Sequence, residues 1–161
     1  MTLEQAASCS PRLAAGLQPS LHALPAGHRD LITIADTRRL QTSLNLEAVL
    51  SPTEPRMKQW DYVIGWESHS RIPSCCFAEV HPANTGSAAE VIGKKQDVEA
   101  WLSRHAQPVI ALAYRTALRL NAPSWHWLAT PAPIAIRRGS QAAKQLAAAG
   151  ISGPTRRLEL D

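Results

Sequence analysis

The feature that most constrains this chain is a pair of alternating stretches facing each other across a short turn. In WDYVIGWES, Trp60, Tyr62, Ile64 and Trp66 alternate with Asp61, Val63 and Gly65. A period of two with aromatic and β-branched content predicts a strand. HSRIPS turns the chain. CCFAEVHPA, from Cys75 to Ala83, then alternates again, with Phe77, Glu79 and His81 on one face and Cys76, Ala78 and Val80 on the other. Pro82, which has no amide donor, ends the pairing. Antiparallel pairing across the turn brings early and late positions together, so Asp61 and Glu79 are expected at the same end of the hairpin.

Helices are expected on either side. Asp36 can cap a helix running to about Leu50, before the prolines of SPTEP. On it, Leu40, Leu44 and Glu47 share a face, which turns Glu47 inward. After the loop PANTGS, Ser87 can cap AAEVIGKKQDVEAWLSR, with Glu90 completing a capping box. Val91, Lys95, Val98 and Leu102 lie within about 60° of one another on a helical wheel, and Lys94 points about 100° away from Lys95. The stripe therefore contains Lys95.

PVIALAYRTALRLN fits either a helix or a covered extended connection. PSWHWLAT reads as a strand, and PIAI as a short extended piece after a proline turn. QAAKQLAAA reads as a helix capped by Ser140 and closed by Gly150, and RRLEL as a last strand. Residues 1–28, rich in Ala, Ser, Pro and Gly, are expected to form a loosely ordered arm, leaving 29–161 as one domain. The order helix, strand, strand, helix, strand, helix, strand implies an α/β fold, a mixed central sheet with helices on its faces.

Composition excludes several classes. Apolar residues make up 45% of the 161 and charged residues 19%, the balance of a globular chain rather than a disordered one. A net charge of +4 permits a polyanionic partner without requiring one. Cys9, Cys75 and Cys76 form no disulfide framework and no CxxC zinc spacing, which suits a reducing cytoplasm. The opening residues lack a basic, apolar leader pattern. No window approaches the ~20 apolar residues of a membrane span.

Asp61 and Glu79, with Glu47 inward from one helix and Lys95 from the next, converge on one corner. Carboxylate oxygens suit magnesium, and such an ion polarises a phosphoryl oxygen and acidifies its bound water. His81 or Lys95 would orient or deprotonate that water. The stretch WDYVIGWES … CCFAEVHPA, flanked by helices over roughly residues 36 to 104, resembles the PD-(D/E)xK nuclease superfamily, whose fold is restriction-endonuclease-like. In that family an Asp begins one strand, Glu-x-Lys sits on the next, and a helical Glu often precedes them. The resemblance implies a nuclease acting on DNA or RNA. Mg2+ or Mn2+ would be held by Glu47, Asp61 and Glu79, and by analogy the molecule would be a homodimer. It departs from the family at His81, where the family has Lys, and at Trp60, where it has Pro. Either His81 takes the lysine's part or Lys95 supplies it from the helix. The alternative is an inactive member of the same fold that binds nucleic acid or protein.

Plain structural readings stand beside these. Glu79 and His81 fit an exposed polar pair, and Asp61 a strand start. Glu47 and Lys95 fit side chains that reach water from the rim of an apolar face. Trp60, Trp66 and Trp101 read as core. In the WHW strand, base stacking by a tryptophan competes with burial. A zinc site of Cys75, His69 and His81 has irregular spacing.

Overall fold

The structure, a computed structural model, describes every residue except Thr85 and Ala132. Those two fall in the expected PANTGS loop and the expected proline turn, so those positions lie outside the described residues. Among the described residues the chain forms helices α1 (Leu3–Ala7), α2 (Pro11–Gly16), α3 (Ala26–Arg29), α4 (Leu46–Leu50), α5 (Ser87–His105), α6 (Gln107–Leu120) and α7 (Gln141–Ala148). The strands are β1 (Leu17–Pro19), β2 (Ile32–Ile34), β3 (Leu40–Asn45), β4 (Tyr62–Glu67), β5 (Pro73–His81), β6 (Trp125–Ala129), β7 (Ile151–Thr155) and β8 (Leu158–Leu160).

The fold is α/β around a mixed six-stranded sheet in the order β1-β3-β4-β5-β6-β7. Strands β1, β3, β4 and β5 pair antiparallel, while β5, β6 and β7 pair parallel. The change of sense at β5 has a simple cause. A short turn can only return a strand antiparallel, whereas the long α5–α6 segment carries the chain back to start β6 in the direction of β5. The hairpin register sets Tyr62 opposite Ala78 and Val63 opposite Phe77, which puts Asp61 at the level of Glu79.

Both faces of the sheet are covered, so β4 and β5 are almost wholly buried. One face presents Val63, Cys75, Phe77, Trp125 and Trp127 to apolar residues of α1, α2, α4, α5, α6 and α7. The other presents Tyr62, Ile64, Trp66, Cys76, Ala78 and Val80. There the cover is Leu21, Leu24 and a separate parallel pair, β2 with β8. Trp125 stacks on Phe77 at 3.9 Å between ring centroids and meets Trp60 edge-on at 5.0 Å.

Several expectations need correction. Residues 1–28 are not a loose arm: Leu3, Ala6, Ala7 and Leu13 are fully buried and β1 joins the sheet. Small residues make this possible. A Cβ placed on Gly65 of β4 would lie 2.7 Å from the Leu3 Cβ, so the glycine is what lets α1 rest on the strand. The helix expected from Asp36 to Leu50 is mostly β3. Asp36 caps only a turn at Thr37–Arg39, and a new short helix starts at Leu46, capped by Asn45. Leu40 and Leu44 suit a helical face, but pairing with β4 overrides it: a bulge between Leu40 and Thr42 sets Leu40 opposite Trp66 and Leu44 opposite Val63, on opposite faces of the sheet. Gly86, not Ser87, occupies the cap position of α5. The ambiguous PVIALAYRTALRLN is α6. The piece PIAI forms no strand, and the sheet's last strand is β7, where Pro154 hid an edge strand from the sequence reading. No helix among the described residues is long and apolar enough to cross a membrane.

Candidate active site

The end of the β4–β5 hairpin carries the chain's most unusual chemistry. Asp61 is 9% exposed and Glu79 is fully buried. They hold each other through the backbone. The Asp61 N–H donates to Glu79 Oε2 at 3.0 Å, and the Val80 N–H donates to Asp61 Oδ2 at 2.9 Å. Beyond the last ladder pair at Tyr62 and Ala78, these carboxylates take over as acceptors for backbone donors at the strand ends. The Asp61 carbonyl in turn accepts from Leu46 N–H at 2.8 Å. That bond anchors the first turn of α4, which carries Glu47.

Lys94 of α5 completes the cluster. Its Nζ donates to Glu79 Oε1, and its side chain is 18% exposed. Burial pushes the Glu79 carboxyl up to about 7, with the Asp61 charge adding to the rise and Lys94 opposing it. Asp61 is raised for the same first reason, burial. The Val80 N–H and Lys94 pull it back, and Glu47 pushes it further up. For Lys94, burial is the largest single influence and acts downward. Its attraction to Glu79, with Asp61 and Glu90 behind, outweighs burial and leaves the ammonium held above its ordinary value. Lys94 is thus a firmly charged donor rather than a base.

Glu47 is exposed rather than turned into the core, yet its charge reaches Asp61 and Tyr62. His28 of α3 joins from the other side, its Nδ1 2.8 Å from the Tyr62 hydroxyl and its field felt by Asp61. Burial, then Asp61, Glu47 and Glu79, raise the Tyr62 phenol, so that hydroxyl stays protonated in its hydrogen bond with His28.

The structure therefore brings together Asp61 and Glu79, with Glu47 at the rim, and leaves out the two expected bases. His81 does not sit beside Glu79: its Nε2 is 3.4 Å from Glu90 Oε1, and its Nδ1–H donates to the Pro82 carbonyl at 2.9 Å. Its ring lies edge-on to Trp127. Lys95 does lie in the half-buried stripe, but its Nζ bonds Glu99 Oε2 at 2.5 Å and lies 5.1 Å from the Trp125 ring centre. It does not touch Glu79 or Asp61. The stripe of α5 faces the middle of the sheet, while Glu79 lies toward the end of β5. A side chain on the flank of the stripe reaches it, and Lys94 is on that flank. The overlooked signal was the pair Glu90 and Lys94, one helical turn apart, which together face His81 and Glu79. His28 and Tyr62 had no comparable signal, because His28 lay in the stretch expected to form a loosely ordered arm.

Among the described residues no three His, Cys, Asp or Glu side chains converge closely enough to form a ready metal cage. The chemistry of the donors still fits a hard divalent cation. Two buried carboxylates and a third within electrostatic reach face one ammonium. Burial first, then the charge of Asp61 on Glu79 and of Glu47 on Asp61, disfavours their ionised forms, and a cation relieves that. The zinc alternative fails on geometry. The Cys75 thiol points to the Val109 carbonyl, while His69 pairs with Arg39. Trp125 and Trp127 are both buried, so neither offers a face for stacking. No protein-family model matches the chain, and neither a curated protein nor a solved structure is similar to it.

Proposed function

We propose that this chain is a metal-dependent phosphodiester hydrolase of the PD-(D/E)xK type, whose lysine comes from α5 as Lys94 instead of from β5. The observation that carries the reading is the Lys94 ammonium on the Glu79 carboxylate, with Asp61 braced against the same group. An aspartate opening one strand, a glutamate on the next and a lysine beside it make the family's acidic centre, with the cation relocated. The antiparallel β3–β4–β5 unit followed by a helical crossover to a parallel strand supports the restriction-endonuclease-like fold.

Asp61 and Glu79 would hold Mg2+ or Mn2+, assisted by Glu47. Bound there, the ion supplies Lewis-acid polarisation of a phosphoryl oxygen and a more acidic water. Lys94 favours the ionised form of Glu79 against burial and offers its remaining N–H donors to the developing phosphorane charge. Because it retains its proton, it positions and stabilises rather than deprotonating. DNA and RNA both fit this chemistry. A homodimer belongs to the same reading by analogy, and light scattering of the purified chain checks it.

With magnesium or manganese, purified protein is expected to cleave DNA or RNA. Asp61→Asn and Glu79→Gln are expected to abolish cleavage and to weaken metal binding in calorimetry. A second reading, a binding module without turnover, draws on His81, which stands at the family's lysine position and turns to Glu90. Salt-sensitive nucleic-acid binding with neither cleavage nor metal uptake would select it.

A further inference from the structure

A second polar site lies at the opposite end of β4, about 20 Å from Asp61 at ~3.3 Å per strand residue. Asp36, Arg38, Arg39, Glu67, His69 and Arg71 line a cavity of about 230 Å3 there. Its charges do not balance. Arg38 takes both Asp36 oxygens, at 2.9 and 3.0 Å, and Arg71 faces Glu67 at 3.4 Å. Among the described residues no carboxylate lies within ion-pair distance of Arg39, since Asp36 pairs with Arg38 and Glu67 with Arg71. Arg39 is 9% exposed, gives Nε–H to the Glu67 backbone carbonyl at 2.7 Å, and places Nη1 2.6 Å from His69 Nδ1. Its Nη2 has no hydrogen-bond partner among the described residues. Asp36 feels the Arg39 charge, but its oxygens are already committed to Arg38.

A guanidinium so deeply buried without a counter-charge is costly unless something anionic completes it. The neighbours suit that role. Arginine can only donate, so His69 Nδ1 must accept, and the ring's proton resides on Nε2 as a further donor. Arg71, with a left-handed backbone of φ 59° that is rare for a residue with a Cβ, also lines the cavity. The space is below the ~300 Å3 of an ordinary small-molecule pocket and suits a single tetrahedral anion.

We propose that this cavity binds a phosphate-class oxyanion, held by Arg39 with His69 and Arg71. The phosphate is either free in solution or part of a polynucleotide backbone. None of these residues belongs to the Asp61–Glu79 cluster, so the proposal stands or falls independently of the nuclease reading.

The test is an NMR titration of the full chain at constant ionic strength, with inorganic phosphate in one arm and a single-stranded DNA oligonucleotide in the other. Saturable shifts at the Arg39 Nε–H and the amides of residues 68–71 are expected with at least one probe. Saturation by phosphate alone assigns a free anion. Saturation by the oligonucleotide, competed by phosphate, assigns a backbone phosphate. Arg71→Gln and His69→Ala, both at exposed positions, are each expected to weaken binding about tenfold while leaving the rest of the spectrum in place. Arg39→Lys, which keeps the charge but not the fork, is expected to weaken it as well. No saturable shift from either probe, or shifts that survive unchanged in all three variants, would overturn the proposal.

Discussion

Two adjacent lysines on α5 serve different ends, and the difference is testable one residue at a time. Lys94→Met removes the ammonium that pairs with Glu79. On the proposed function it is expected to lower cleavage by about 100-fold or more, the usual loss for a donor aimed at developing charge. Lys95→Met breaks the link to Glu99 and Trp125. It is expected to cost about 1 kcal/mol of stability, seen in urea unfolding, and to leave the rate per folded molecule unchanged. Equal rate losses in the two variants would remove Lys94 from the site. Glu79 makes a second prediction, about pH. Its folded pKa lies near 7, above its unfolded value of 4.5. The folded state therefore binds more protons between those values, and Glu79's contribution to stability is present below pH 4.5 and lost as pH rises through 7. Urea midpoints measured without metal are expected to fall over that window and to flatten in Glu79→Gln. Added magnesium should restore stability at pH 8 in the native sequence but not in the variant. The sequence disclosed Asp61 and Glu79 because strand alternation fixes which residues align. It did not disclose Lys94, because a helical wheel tells which side faces the core and not which end of a strand that side overlies.

At the scale of elements, β4 and β5 were readable because aromatic and β-branched alternation has no good helical alternative. β3 was not, since Leu40 and Leu44 fit a helical face and the bulge between Leu40 and Thr42 breaks the period of two. The N-terminal helices were hidden for a different reason. Their alanines and glycines look like the composition of a disordered tail, yet small residues are what allow close packing on the sheet. Leu3 above Gly65 is the critical contact. Leu3→Ala is expected to cost about 2–5 kcal/mol, the range for emptying a fully buried leucine site. Gly65→Val, which forces α1 away from β4, should match or exceed it. Chemical denaturation checks both, and near-native stability in either would mean that α1 is only loosely attached.

Across the whole molecule, the first and last strands of the second sheet close the chain on itself. β2 pairs with β8, and Trp66 Nε1 donates to the Asp161 carbonyl at 2.9 Å. Removing residues 158–161 uncovers Ile32 and one face of the central sheet. Such a truncation is expected to lower the thermal midpoint by several degrees and to speed amide exchange in β2 more than in β5. Exchange should be slowest in β4, β5 and β6, which are covered on both faces; faster exchange there than in β1 would contradict this layering.

The reciprocal bonds between Asp61 and the end of β5 have a consequence for how function fails. The two carboxylates serve as the terminal rungs of the strand pairing, so a slipped or frayed hairpin does not yield a weakened centre but none at all. Damage elsewhere in the sheet should then register as a smaller fraction of competent molecules, each working at full speed. Active-site titration of destabilised variants such as Leu3→Ala would return fewer sites with an unaltered turnover number, making the acidic pair a built-in gauge of correct strand register.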